Sequence, residues 1–124
     1  MYQDTDNITA LEADMATDTS TIRAGAEIFT LINVFSVAPD RQQELATLLI
    51  EATEQIMRHQ PGFISANIHT SLDGRHVVNY AQWRSRDAFE AMLRSPDARP
   101  HMTRAAALAS FDPILCEVAH VDHA

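Results

Sequence analysis

The chain has 124 residues, enough for one domain with a single modest core. Its net charge is −8 and its nine basic residues are all arginine. The acidic balance argues against nucleic acid or an anionic membrane as partner, and the absence of lysine excludes Schiff-base and P-loop lysine chemistry.

One cysteine, Cys116, cannot form an internal disulfide, which suits a reducing cytoplasm. The N-terminus lacks the basic and apolar regions of a secretory signal. No apolar run approaches the roughly 20 residues of a membrane-spanning helix. Residues 1–26 are polar and rich in Thr and Asp, with no sustained apolar period. They read as a mobile arm that either only solubilises the chain or wraps a partner subunit. The domain proper is expected over 27–124.

"EIFTLINVFSVA" (27–38) is continuous and β-favourable and predicts the first strand. Pro39 and Asp40 then signal a helix start. Leu45, Leu48, Leu49, Ala52 and Ile56 form one apolar stripe at helical spacing. "PGF" (61–63) ends that helix, and "FISANIHTS" follows as a strand. "LDG" (72–74) reads as a hairpin turn into "RHVVNYAQW", the third strand. Ser85 is a candidate N-cap for "SRDAFEAML". Pro96 and Pro100 break the pattern, "HMTRAAALASF" restarts a short helix, and "DPILCEVAHVD" (112–122) predicts the last strand. The order β-α-β-β-α-β predicts an α+β ferredoxin-like plait with helices on one face of an antiparallel sheet. Strands 1 and 3 are apolar on both sides, whereas the helices cover only one. A second subunit is therefore expected on the other face, most simply in a homodimer.

Alternation puts Asn79, Ala81 and Trp83 on one face of strand 3, with small Ala81 leaving a gap between two hydrogen-bond donors. Asn33 is a second mid-strand asparagine, on the neighbouring central strand. These groups can converge on a cavity between sheet and helices, a polar cluster in an apolar wall. Equally, a buried Asn can bond to backbone or water, and a Trp can simply be core.

The six histidines make no convincing metal set. His120 and His123 would point opposite ways on a strand, while His69 and His76 sit on neighbouring strands and could pair. His101 and Arg104, at i, i+3, can share one helical face.

"QPGFISANIHTSLDGRHVVNYAQWRSRDAFEAML" resembles the antibiotic-biosynthesis monooxygenase family, and within it the cofactor-free enzymes that oxidise polyketide anthrones to quinones. The N-x-x-x-W element of "VVNYAQW" is its most specific part. The resemblance implies a ferredoxin-like dimer, a small aromatic polyketide substrate, and O₂ as co-substrate with no cofactor. It implies functional roles for Asn79, Trp83 and Asn33, with Arg104 matching an arginine used by some members. A tyrosine used by some members falls at Phe89, which cannot transfer a proton. His101 or His69 is then the expected proton acceptor near neutral pH, unless a water serves. Two other readings stay open. Haem-degrading members use a strand-1 asparagine, a helical histidine and a helix tryptophan; Asn33 and His101 suit these, but Met92 stands where the tryptophan would be. A non-enzymatic dimeric ligand-binding protein would need the plait without the Asn/Trp pair.

Overall fold

A computed structural model describes residues 18–25 and 27–124. Strand β1 (Phe29–Val37) leads through a 3₁₀ turn at Pro39–Arg41 into helix α1 (Gln42–Gln55). Strands β2 (Phe63–Thr70) and β3 (His76–Trp83) form a hairpin. Helices α2 (Arg86–Leu93) and α3 (Arg99–Leu108) precede strand β4 (Ala109–Cys116). The sheet is antiparallel in the order β2-β3-β1-β4, which is the ferredoxin-like plait. Most of the expected arm, residues 1–17 and 26, lies outside the described residues; 18–25 add no strand.

The apolar stripe of α1 packs as its spacing requires. Leu45 is fully buried and Leu48 and Ala52 nearly so, with Leu49 and Ile56 at the margins. Each such leucine removed from water contributes about 1.5–3 kcal/mol before entropy is counted. Buried Gln42, at the start of α1, ties the helix to the hairpin. Its amide donates to the carbonyl oxygens of Ser71 (3.0 Å) and His76 (2.9 Å). The β2–β3 turn is held by Asp73, whose Oδ1 accepts from the Ser71 hydroxyl and the Arg75 N–H. Those two donors, the hydroxyl foremost, hold the Asp73 carboxyl below its ordinary range. Gly74 takes φ +78° there, the left-handed conformation that the Asp-Gly pair predicts. Ser85 caps α2 as expected, its hydroxyl accepting from the Ala88 N–H at 3.0 Å.

The last third of the chain departs from the expectation. Pro100 does not break a helix but stands in the first turn of α3, where its missing N–H costs nothing. Strand β4 begins at Ala109, not 112, and ends at Cys116, not 122. Phe111 and Ser110 continue the ladder opposite Phe35 and Ser36. Pro113 is tolerated because β4 is an edge strand. Among the described residues no helix is long and apolar enough to cross a membrane.

Gly62 carries two constraints at once. Its φ is +84°, and a Cβ would lie 2.5 Å from that of Ala88, on α2. Gly62→Ala is expected to lower stability by about 2–4 kcal/mol, read as a fall in the urea midpoint, combining left-handed strain with overpacking. An unchanged midpoint would show that α2 is not seated on this turn.

Candidate active site

Strands β1 and β3 are the central pair, and their register brings Asn33 directly opposite Asn79, Leu31 opposite Ala81 and Phe29 opposite Trp83. Period-2 alternation turns these residues toward the helices. The core consequently divides. One cluster gathers Phe35, Val37, Leu45, Leu48 and Val77; the other gathers Leu31, Ala81, Trp83, Phe89 and Met92. The two asparagines interrupt the apolar rows between them. Above lies a cavity of about 460 Å³, walled by residues of all three helices and all four strands.

The Oδ1 atoms of Asn33 and Asn79 are both buried and have no hydrogen-bond partner. Leaving such a group unmet costs about 1–3 kcal/mol each. An amide can offer either its oxygen or its NH₂ by turning about its last torsion, so the pair can donate to an oxyanion or accept from a phenol. Trp83 is 2% exposed and also lines the cavity. Phe63 meets its ring edge-on at 5.4 Å, and Phe89 at 6.2 Å. Phe89 in turn packs on Phe29 at 5.3 Å. Ala81, 3% exposed, leaves open the space between Asn79 and Trp83. The wall is thus aromatic and aliphatic, with two unmet amides side by side, a shape and polarity suited to a flat polycyclic molecule bearing phenolic oxygens.

The remaining expected residues separate. His101 lines the cavity from α3. Arg104 lies outside it, bordering a groove with Glu44 and Glu51, and its Nη2 is 2.8 Å from His101 Nδ1. Phe89 stands on the cavity wall with no hydroxyl to offer, and Met92 is buried beside it. His69 is the correction. It pairs with Val78, so alternation turns it to the opposite face of the sheet, where its Nδ1 lies 3.1 Å from the Asn67 carbonyl oxygen. It therefore cannot take a proton from a molecule in this cavity. Nor does it pair with His76, which instead lies 3.6 Å from Asp73.

Glu90 escaped the sequence reading. Among the described residues, it and His101 are the only ionisable groups on the cavity wall. It sits partly exposed on α2 and accepts from Arg86 Nε at 3.0 Å. The i, i+4 spacing of Arg86 and Glu90 announces this ion pair, but which flank of a short helix meets a cavity depends on how the helix packs.

Known proteins are similar to this chain in sequence and fold. The antibiotic biosynthesis monooxygenase family matches residues 28–107. Tetracenomycin-F1 monooxygenase of Streptomyces glaucescens is 48% identical over 101 residues, covering 82% of this chain and 90% of that protein. SnoaB of Streptomyces nogalater, a cofactor-independent oxygenase, superposes with a TM-score of 0.69 at 29% identity, over 77% of this chain and 97% of its own. The ActVA-Orf6 monooxygenase of Streptomyces coelicolor, solved with nanaomycin D, gives a TM-score of 0.71 at 27% identity, over 77% and 91% respectively. With more than half its length matched, this chain belongs to the antibiotic biosynthesis monooxygenase family.

Proposed function

We propose that this chain is a cofactor-independent monooxygenase that oxidises a polycyclic aromatic phenol or anthrone to a quinone with O₂ in aromatic polyketide biosynthesis. The observation that carries the reading is the pair of unpartnered amides, Asn33 and Asn79, set in an aromatic-walled cavity. The names of the similar proteins, two oxygenases and a tetracenomycin-F1 monooxygenase among them, support the reaction class.

O₂ reacts slowly with closed-shell organic molecules, and most oxygenases recruit a flavin, haem or metal for it. An anthrone supplies the electrons itself once it is deprotonated. Loss of a proton leaves a delocalised anion. One electron passes to O₂, and the two radicals combine into a C–O bond, giving a peroxide. The peroxide takes up a proton, then loses water as its O–O and remaining C–H bonds break. The ring carbon becomes a carbonyl, and one oxygen atom of O₂ leaves as water. The protein's task is to favour the anion and to keep water away. Asn33, Asn79 and Trp83 suit it as neutral donors, which hold a negative charge without protonating it. A preorganised donor of this kind contributes on the order of 2.7–4 kcal/mol to the charged state. The proton acceptor on this reading is one of the two ionisable wall groups, Glu90 or His101.

The haem reading fits less well. Met92 stands where a helix tryptophan is needed. A guanidinium can only donate, so the Arg104 bond occupies His101 Nδ1 and puts the ring hydrogen on Nε2, the nitrogen that would have to bind iron. A binding protein without chemistry could use the same amides, but the similar proteins are named as monooxygenases and an oxygenase.

A second copy on the outer sheet face completes the proposal. Ile32, Val34, Val78 and Tyr80 are only half-buried there and Ile114 is 46% exposed. The expected solution mass is twice the 13.8 kDa of one chain by light scattering, and a stable monomer at micromolar concentration counts against it.

Trp83 is the only tryptophan, so its fluorescence reports on the cavity. Saturable quenching by a polycyclic hydroxyquinone is expected for the parent, and its loss in Ala81→Leu, which fills the gap. Equal quenching in both would move the binding site elsewhere. In metal-free buffer without added cofactor, oxygen uptake with anthrones or naphthalenediols is expected. Asn79→Ala or Trp83→Phe should slow it at least about tenfold. Variants that match the parent would remove Asn79 and Trp83 from the mechanism; a parent that consumes no such substrate would overturn the substrate class.

A further inference from the structure

Arg104 and His101 are one helical turn apart on α3, yet only His101 reaches the cavity. The contact between them is a hydrogen bond of 2.8 Å from Arg104 Nη2 to His101 Nδ1. A guanidinium has five N–H donors, no acceptor, and stays charged at any working pH. His101 Nδ1 must therefore accept. In a neutral imidazole whose Nδ1 accepts, the ring hydrogen sits on Nε2. For His101 to take a proton, Nδ1 would have to release Arg104 and a second cation would form beside the first.

We propose that Arg104 is a positioning residue that fixes His101 as an Nε2–H donor toward the cavity, so that His101 steadies the substrate oxyanion instead of accepting the substrate proton. This rests on the function proposed above. It adds a fourth neutral donor to Asn33, Asn79 and Trp83, supplied by a helix where theirs come from the sheet. Arg104 carries a full charge but stays behind the imidazole, so no permanent cation need enter the cavity to do this. The substrate proton is left with one ionisable acceptor on the described wall, the Glu90 carboxylate. There an O–H bond forms on Glu90 as the substrate's C–H or O–H bond breaks, and the electron pair stays on the substrate.

The primary test needs no turnover. Imidazole ¹⁵N spectra of the full-length protein at neutral pH, assigned with His101→Gln, are expected to show His101 with its hydrogen on Nε2 and a bare Nδ1. Arg104→Lys, which keeps a donor, should preserve that pattern, and Arg104→Leu should give a mixture of tautomers. Turnover then separates donor from base. The amide nitrogen of His101→Gln can stand near the Nε2 position but has no basicity. That variant should keep roughly a third or more of parent activity, while His101→Ala loses at least about tenfold. An Nδ1–H tautomer in the parent, or a glutamine variant as slow as the alanine one, would overturn the proposal. An Nε2–H tautomer in a parent that oxidises no polycyclic phenol supports the positioning and rejects the substrate class alone.

Discussion

The antiparallel pairing of β1 with β3 is the constraint on which the rest depends. Eight consecutive residue pairs, from Phe29 with Trp83 to Ser36 with His76, set which side chains meet. Because side chains alternate, a slip of one residue on β3 would turn Asn79 and Trp83 outward and bring Val78 and Tyr80 in. The cavity would lose its polar floor and its aromatic wall together. Several local devices guard this register. Asp73 and Gly74 shape the hairpin turn, and buried Gln42 holds the same turn from α1. At the far end, the Arg84 N–H donates to the Gly62 carbonyl oxygen at 2.8 Å, closing β3 against the start of β2.

Two buried amide oxygens without partners are a liability to the fold, worth a few kcal/mol together in a molecule whose whole stability is of the order of 5–15 kcal/mol. The surroundings show how the liability is contained. Both amides sit on central strands, flanked along the sheet by well-buried Phe35 and Val77 on one side and Leu31 and Ala81 on the other. Trp83, Phe63 and Phe89 pack edge to face and give the cavity a stiff wall. On the proposed function, donors held this way need not reorganise when a charge appears between them, which is what makes preorganised donors effective in a dry site.

The helices contribute differently from the sheet. Close approach of α2 at Gly62 brings Phe89 and Met92 to the wall, and Glu90 to its margin. Pro100 starts α3 within two residues of Ala98, which is fully buried, and so points His101 inward one turn before Arg104. Sheet donors are fixed by backbone pairing. On the proposed positioning the imidazole is held by a charge outside the cavity, so the same site would draw on two sources of rigidity, one of them open to surface substitution.

Much of this was legible in the chain itself. Hydrophobic period and turn chemistry are local properties, and they sufficed for the element order, the plait, the α1 stripe, the Ser85 cap and the shared face of Asn79, Ala81 and Trp83. That Asn33 and Asn79 sit on neighbouring central strands was legible too, but their direct pairing was not, because adjacency of β1 and β3 leaves the register open. The boundaries of β4 did not follow, because an edge strand is defined by what it pairs with, and Ala109–Phe111 read as helix until Val37, Ser36 and Phe35 lie beside them. His69 was misplaced because its parity was not followed through the hairpin pairing, which turns it away from the cavity. Glu90 on the wall, and the separation of Arg104 from His101, lay beyond helical spacing, which gives a shared face but not the depth at which that face is buried. The proton on His101 was beyond reach of sequence altogether. Which ring nitrogen carries it depends on a single 2.8 Å contact, and only packing can set that distance.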